Sequence, residues 1–349
     1  MPTHKIALYP GDGIGIEVLD AAVRVLDHLQ STAGDLALEY ERFDWGCDHH
    51  DRHGVAAPED MLDVLRGFDA IFLGAIGFPS RLADHISLEP LIRIRQAFDQ
   101  FACVRPARVM DGVQSLLANP GKIDMAVVRE NSEGEYISMG GVYKTDRPEE
   151  VAIQTAIHTR KGIERILGFG FDLARKRRRR LTMITKSNAQ RFGMVLWDRV
   201  LESVRGDYAD VECDKLHIDA AAMDFVRRPD RFDVVVASNL FGDILTDLSG
   251  AITGSLGLNP SANLDPTRRH PSLFEPVHGS APDIAGKGVA NPVGAIQSAA
   301  MMLDWLGESD AARRIQSAVE GALAAGESTP DVGGTLGTEG MTDRIIERL

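Results

Sequence analysis

Short apolar runs alternate with longer amphipathic stretches along the chain, and this pattern predicts alternating strands and helices. Five runs are typical of buried strands: residues 5–9, 68–73, 125–128, 181–184 and 233–237. From about Glu17, apolar side chains recur every three or four positions as far as Leu29, which predicts a helix. The chain from about Asn291 shows the same helical spacing. The sequence therefore predicts an α/β fold.

Polar residues directly follow three of the predicted strands. They are Arg129 to Asn131, Thr185 to Asn188, and Ser238 with Asn239. Ligands of open α/β sheets bind at the carboxyl ends of the strands, where such side chains can converge. These three clusters therefore predict a ligand site along one edge of the sheet.

Two aspartates, Asp243 and Asp247, lie four residues apart after the last of these strands. A helix would place both on one face, and Asp219 offers a third carboxylate upstream. Without a nearby Cys or His cluster, three carboxylates suit Mg²⁺ or Mn²⁺ rather than zinc. The alternative interpretation of the aspartate pair alone is a solvated helix face.

Other side chains suit a small dicarboxylate and its proton chemistry. Arg95, Arg105 and Arg129 can each grip a carboxylate through two parallel hydrogen bonds, although an arginine taken alone is more often a surface charge. A lysine such as Lys186, placed beside a metal and other cations, can relay protons. A tyrosine such as Tyr136 can then act as an acid. For each of the two, the alternative is an ordinary amphipathic side chain.

Two glycine-rich segments bear on coenzyme binding. Gly11, Gly13 and Gly15 follow the first strand as in a dinucleotide-binding loop, but Ile16 occupies the position of the third glycine, which favours a structural turn. Residues 275–292 form a Gly- and Pro-rich loop that can wrap closely around a flat ligand or can be a surface loop. In it, an acidic residue at 283 would accept hydrogen bonds from a ribose hydroxyl and repel a 2′-phosphate, which favours NAD over NADP.

Composition excludes several classes of protein. The 349 residues carry a net charge of −13, which argues against a general binder of nucleic acid or anionic membranes. The basic run at residues 175–180 has no interleaved aromatics and is interpreted as a solvated helix end. No apolar run approaches the roughly 18 residues that span a bilayer, and the N-terminus lacks a signal-peptide layout. Cys47, Cys103 and Cys213 are widely spaced, which predicts reduced thiols in a cytoplasmic protein.

Taken together, the segments resemble the β-decarboxylating dehydrogenases, which include the isopropylmalate, isocitrate, tartrate and D-malate enzymes. The resemblance extends from residues 10–15 to residues 329–334 and is most specific around Asp243 and in the loop at 278–291. It implies a large, mostly parallel sheet flanked by helices. It also implies a discontinuous large domain (residues 1–100 and 252–349) on the cofactor side. A small domain (residues 101–251) would hold the dimer interface and the metal ligands.

The resemblance also implies roles for individual residues. Arg95, Arg105 and Arg129 resemble the substrate clamp, Tyr136 the general acid and Lys186 the proton-relay lysine. Asp219, Asp243 and Asp247 resemble the ligands of Mg²⁺ or Mn²⁺, with K⁺ as a further cation that the resemblance leaves open. The NAD contacts would be Asn188, Glu275, His278, Gly279, Asp283, Ile284 and Asn291. The resemblance implies a homodimer, in which Lys186 and Asp219 serve the site of the neighbouring subunit.

The substrate is predicted from the segment that precedes Arg95. Isopropylmalate enzymes carry a glutamate there that contacts the isopropyl group, and Leu88 occupies that position here. Residues 84–88 and 98–100 resemble the tartrate and D-malate group, although Glu89 and Pro90 replace a usual Trp-Gly pair. The prediction is an NAD-dependent oxidative decarboxylase of D-malate or tartrate. The alternatives are a 3-isopropylmalate dehydrogenase and a non-catalytic regulatory subunit, and the intact site residues argue against the latter.

Overall fold

The structure is a computed structural model that describes residues 3–34 and 36–349. The strands of this part of the chain are β1 (His4–Gly11), β2 (Leu38–Arg42), β3 (Ala70–Ala75), β4 (Ala102–Arg108), β5 (Asp124–Glu130), β6 (Gly140–Tyr143), β7 (Val151–Gln154), β8 (Arg180–Thr185), β9 (Glu212–His217), β10 (Val234–Ala237), β11 (Pro260–Leu264) and β12 (Ser272–Pro276). The predicted strands all form, and none of their ends differs from the prediction by more than two residues.

The helices alternate with the strands along much of the chain, as the apolar periodicity predicts. They are α1 (Ile14–Ala33), α2 (Cys47–His53), α3 (Met61–Leu65), α4 (Asp84–Ser87), α5 (Glu89–Ala97), α6 (Arg160–Arg175), α7 (Gly193–Val204), α8 (Ile218–Arg227), α9 (Asn239–Thr253), α10 (Val293–Leu306), α11 (Ser309–Ala324) and α12 (Thr338–Ile346). Several short 3₁₀ turns connect them.

One sheet of ten strands organises the fold, in the order β2-β1-β3-β12-β11-β4-β5-β10-β8-β9. The β2-β1-β3-β12 block and the β5-β10-β8-β9 block are each parallel. Between them, β11 and β4 pair antiparallel with their neighbours, so the two parallel blocks run in opposite directions. The prediction of a large, mostly parallel sheet with flanking helices is confirmed. This single sheet contains strands from both predicted domains. The proposed domain boundaries stay a prediction.

The first helix begins earlier than its apolar stripe suggests. Helix α1 starts at Ile14 rather than near Glu17, because the Ile14 amide donates to the Ser280 carbonyl at 2.8 Å. Gly13 precedes it with φ 57°, and a Cβ at this position would lie 2.1 Å from the same carbonyl oxygen. Position 13 therefore requires glycine, because a larger residue would prevent β1 and α1 from packing against the loop at 277–290.

The interior lies on both faces of the sheet. Helix α10 is buried on nearly every side, since it packs against the sheet and against α1 and α11. Its residues Ala295, Ala299, Met302 and Leu303 are fully buried, which confirms the predicted apolar face. None of the helices in the described residues is long and apolar enough to cross a membrane.

The basic run at residues 175–180 is neutralised by carboxylates. Arg177 donates to Asp233 at 2.8 Å and to Asp124 at 2.7 Å. Arg180 forms a bidentate pair with Glu212. The run ends α6 and begins β8, as predicted, but these arginines hold strand ends together rather than standing free in solvent. A nucleic-acid surface is not supported by this arrangement.

Candidate active site

Helix α9 forms one wall of the candidate site. It begins directly after β10 and packs on β4 and β5, with Asn239 and Gly242 buried. Asp243 and Asp247 lie on the same side of the helix, as their spacing predicts. Asp243 points toward the sheet and is two-thirds shielded, whereas Asp247 is exposed to solvent.

Two buried arginines from adjacent strands meet Asp243. Arg105 on β4 and Arg129 on β5 lie on the same sheet face, because the antiparallel register pairs Arg105 with Val127. Arg105 Nη1 lies 3.2 Å from Asp243 Oδ1, and Arg129 Nη1 donates to the same oxygen. Burial acts to raise the pKa of Asp243, but the two guanidinium groups hold it below its usual value.

Tyr136 reaches the same carboxylate from the loop after β5. Its hydroxyl donates to Asp243 Oδ2 at 2.7 Å, and the Arg129 guanidinium lies 5.1 Å from the ring centroid. Burial and the hydrogen bond to Asp243 raise the pKa of Tyr136 to about 12. The phenol is therefore protonated at neutral pH, which is the state that a proton donor requires.

A cavity of about 180 Å³ opens beside these groups. Arg95, Arg105, Arg129 and Tyr136 line it, together with Asp243. The structure thus brings to one cavity the three arginines, the tyrosine and one of the aspartates singled out from the sequence. Three cations and a phenol around a small cavity can bind a ligand that carries more than one carboxylate.

Lys186 and Asp219 lie apart from this group in the single chain. Lys186 Nζ donates to Asp219 Oδ1 at 2.6 Å, and neither residue lines the cavity. Among the described residues, no three His, Cys, Asp or Glu side chains come close enough together to hold a metal ion. The three predicted metal ligands are therefore not assembled within one chain.

The Asp243–Asp247 pair nonetheless fits a hard cation. Asp247 forms no ion pair in the described part of the chain, and burial and the Asp243 charge raise its pKa. Two adjacent carboxylates, one of them without a cationic partner, are stabilised by a divalent metal with oxygen preference. Asp219 would have to come from a second chain to complete the predicted set.

The loop at 277–290 has features that fit a coenzyme. His278 Nδ1 is hydrogen-bonded to the Gly279 carbonyl at 2.9 Å, and its buried Nε2 has no hydrogen-bond partner among the described residues. Burial lowers the pKa of His278, which leaves the ring neutral and able to accept a hydrogen bond from a ligand. Asp283 is exposed, and the neighbouring Ile284 is partly exposed. Asn188, in the turn after β8, is also exposed.

Two other residues assigned to the coenzyme have partners within the chain. Glu275 Oε1 accepts a hydrogen bond from Arg95 at 2.6 Å, and both side chains are buried at the cavity wall. Asn291 Nδ2 donates to Asp331 Oδ2 at 3.0 Å. The Arg95–Glu275 pair holds the first clamp arginine in place, a role that the sequence alone does not reveal.

A buried polar network behind Glu275 was missed by sequence reasoning. Asn263 Nδ2 donates to Glu275 Oε1 at 2.8 Å, and Asn131 Nδ2 donates to Asn263 Oδ1 at 2.9 Å. Asn131 and Asn263 lie at the junction of β5, β4 and β11, where antiparallel pairing joins the two parallel blocks. The signal available in sequence was an asparagine within an apolar strand, which needs a partner when it is buried.

Glu130 is a second buried group without a predicted role. Its carboxylate accepts hydrogen bonds from the Ser132 hydroxyl at 2.6 Å and from the Glu133 amide at 2.7 Å. Arg165 approaches to 3.8 Å. Burial, opposed by these hydrogen bonds, raises the pKa of Glu130 to about 7. The carboxylate fixes the first turn of the loop that carries Tyr136.

This raised pKa predicts a pH-dependent stability. Since the folded pKa lies above the unfolded one, the contribution of Glu130 is present below about pH 4.5 and is lost as the pH rises through 7. Relative to Glu130→Gln, wild-type protein should lose about 3 kcal/mol of unfolding free energy between pH 5 and pH 8. Denaturant titrations at both pH values measure the difference, and parallel changes in the two proteins would contradict it.

The fold and the cavity are those of an α/β enzyme with a site suited to small carboxylates. The sequence matches the isocitrate/isopropylmalate dehydrogenase family over residues 5–347, and the chain belongs to that family. The tartrate dehydrogenase/decarboxylase of Pseudomonas putida is 48% identical, covering 100% of this chain and 99% of the relative. The D-malate dehydrogenase (decarboxylating) of Escherichia coli (strain K12) is also 48% identical, covering 99% of each.

The fold comparison agrees with the sequence comparison. A crystal structure of isocitrate dehydrogenase from Methylococcus capsulatus superimposes with a TM-score of 0.91 at 38% identity, covering 99% of both chains. The predicted family and fold are thus confirmed. Family membership supports NAD-dependent oxidative decarboxylation as the class of reaction.

Proposed function

We propose that this protein oxidises and decarboxylates D-malate with NAD⁺ and a divalent metal, Mg²⁺ or Mn²⁺. The observation on which this rests is the cavity where Arg95, Arg105 and Arg129 converge beside Tyr136 and Asp243. The arginines suit the two carboxylates of a dicarboxylic acid. Relatives at 48% identity are named for tartrate and D-malate, which places the substrate among small 2-hydroxy-dicarboxylates.

The apolar part of the cavity lining bears on the choice among these acids. Leu73, Ile76, Leu88 and Leu91 line the same cavity as the arginines. With the carboxylates on the arginines, the proposal places C3 of the substrate against these apolar side chains. A C3 hydrogen, as in D-malate, loses nothing there, whereas the C3 hydroxyl of tartrate would be buried without a partner. The relatives' names argue against an isopropyl group at the same place.

The residues of the chain divide the chemistry between them. Arg95, Arg105 and Arg129 bind and orient the substrate so that its C2 hydrogen faces the coenzyme loop. Lys186 of a second chain would take the proton of the C2 hydroxyl while the C2 hydride is transferred to NAD⁺. Tyr136, protonated at neutral pH, would donate a proton to C3 after carbon dioxide leaves. Asp243 and Asp247, with Asp219 from a second chain, would hold the metal, which would lower the hydroxyl pKa and stabilise negative charge on oxygen.

The coenzyme would bind along the loop at 277–290. This loop contains His278, Gly279, Asp283 and Ile284, and Asn291 directly follows it. Asn188 would reach the nicotinamide side. Asp283 would accept hydrogen bonds from the ribose hydroxyls and repel a 2′-phosphate, which supports NAD⁺ over NADP⁺.

We infer that the active unit is a homodimer with shared sites. Apolar side chains of the β6–β7 hairpin, including Tyr143 and Ile153, are about two-thirds exposed in the single chain. Met223 on α8 and Ile244 on α9 are more than half exposed. Apolar surface of this kind is typical of a protein–protein interface. A second chain that covers these side chains would bring Lys186 and Asp219 to a neighbouring cavity.

A substrate panel tests the proposal. Purified protein with Mn²⁺ and NAD⁺ should reduce NAD⁺ fastest with D-malate, with kcat/KM about tenfold above that for L-tartrate. Replacing NAD⁺ by NADP⁺ should lower the rate. A preference for tartrate would refute the argument from C3, and a preference for 3-isopropylmalate would refute the choice of subgroup. No NADH with any of the three acids would reject the proposed function itself.

A further inference from the structure

Asn239, the first residue of α9, joins two parts of the site that are separate in sequence. Its side chain is buried, and its Oδ1 accepts a hydrogen bond from Arg129 Nε at 2.8 Å. Its Nδ2 donates to the Glu133 carbonyl oxygen at 2.8 Å. One amide group thus holds both a clamp arginine and the backbone of the loop that carries Tyr136.

The orientation of this amide is determined by its partners. The Nε–H of an arginine can only donate, and a backbone carbonyl can only accept. A flipped amide would set the Asn239 NH₂ against the guanidinium and its oxygen against the carbonyl oxygen of Glu133. Asn239 therefore satisfies both partners in one orientation, a requirement that neither Asp nor a shorter side chain fulfils.

Two glycines allow the backbone to approach Asn239 and Arg129 closely. A Cβ on Gly134, which has φ 84°, would lie 2.8 Å from the Asn239 Cβ. A Cβ on Gly242, one turn along α9, would lie 2.7 Å from the Arg129 Cβ. The loop, the helix and β5 are packed without space for a side chain at either point. Asn239 is therefore packed against the loop at Gly134, and Arg129 is packed against α9 at Gly242.

We propose that Asn239 is a positioning residue that fixes the positions of Arg129 and Tyr136 relative to each other and to Asp243. The proposal rests on the proposed function, since it assigns Arg129 to substrate binding and Tyr136 to proton donation. Without the amide, Arg129 would lose the hydrogen bond that fixes its Nε, and the Tyr136 loop would lose its contact with α9. A misplacement of about 1 Å at reacting groups can cost about a hundredfold in rate.

Two substitutions separate the two hydrogen bonds. Asn239→Asp keeps an acceptor for Arg129 but turns an oxygen toward the Glu133 carbonyl, so the loop should shift while the clamp stays. We expect kcat with D-malate to fall at least about tenfold and KM to change less than about threefold. Asn239→Ser is too short for either partner, so kcat should fall and KM should also rise at least about tenfold.

Ser238→Ala is the matched control, because Ser238, although it belongs to a polar cluster in the sequence, does not line the cavity. Ser238 is the preceding residue, is equally buried, and its hydroxyl has no hydrogen-bond partner within the described residues. This variant should keep wild-type kcat and KM. Equal kcat losses with unchanged KM in both Asn239 variants, or wild-type kinetics in either, would overturn the positioning role.

Hydrogen–deuterium exchange gives a second readout that does not depend on turnover. Amides of residues 132–136 should exchange at least about tenfold faster in both Asn239 variants than in Ser238→Ala, while those of β5 keep their protection. Unchanged exchange in the loop would refute the proposal. An inactive wild-type protein would count against the proposed function alone, because the exchange comparison still decides the role of Asn239.

Discussion

Replacing Asp247 with alanine is expected to abolish metal-dependent turnover, with kcat lowered at least about 10³-fold, while the chain stays folded. Asp247 makes no ion pair among the described residues and is exposed, so it contributes little to the fold. Its neighbour Asp243 is already engaged by Arg105 and Arg129. Asp247 is therefore the carboxylate of the pair that is free for a cation.

Without metal, Asp247→Ala should be at least as stable as wild-type protein. Burial and the charge of Asp243 raise the pKa of Asp247. Any stability from this group is present below its unfolded pKa and is lost as the pH rises through the folded pKa. The charged carboxylate is repelled by Asp243, so its removal relieves an electrostatic repulsion that the site keeps for its function.

Thermal unfolding with and without Mn²⁺ separates the two effects. Metal should raise the Tm of wild-type protein, because it binds the folded state, and should leave the Tm of Asp247→Ala unchanged. Asp310→Ala is the control, since Asp310 is an exposed aspartate whose one ion pair within the described part of the chain is with Arg313 on α11. An Mn²⁺-dependent rise in Tm that persists in Asp247→Ala would remove Asp247 from the metal set.

The elements of the fold were predictable to the extent that burial follows a local period. The fully buried strands β3 and β10 appear as apolar runs, and α10 appears as a helical stripe. The antiparallel insertion of β11 and β4 was not predictable, because strand order depends on contacts distant in sequence. The start of α1 at Ile14 depends in the same way on a hydrogen bond to Ser280, which is far away in the chain.

The residue types of the site were predictable, but the hydrogen-bond and ion-pair partners of its side chains were not. The sequence identified Arg95 and Glu275 separately, and only the fold shows that they form a buried pair. Asn239 follows a strand end that was recognised as polar, but its two hydrogen bonds depend on β5 and the Tyr136 loop. Chemistry at single positions can be inferred from a residue type, whereas positioning depends on three-dimensional packing.

Mixed dimers should recover activity that each inactive parent lacks. Lys186→Met and Asp247→Ala homodimers should each fall at least about 10³-fold below wild-type turnover, since one loses the proton relay and the other a metal ligand. If Lys186 serves the partner's cavity, a heterodimer of the two variants contains one site with both residues intact. It should therefore show about half of the wild-type rate per dimer.

The outcome follows from where the structure places Lys186. Its ammonium group pairs with Asp219, whereas Asp247 shares α9 with Asp243, and Lys186 does not line the cavity of its own chain. Heterodimers purified through two different affinity tags measure the effect, and a heterodimer of Lys186→Met with wild-type protein is the control, which should also reach about half. If Lys186 and Asp247 instead acted within one chain, the mixed dimer would have two damaged sites and stay inactive. Recovery would thus show that the second chain completes the catalytic site.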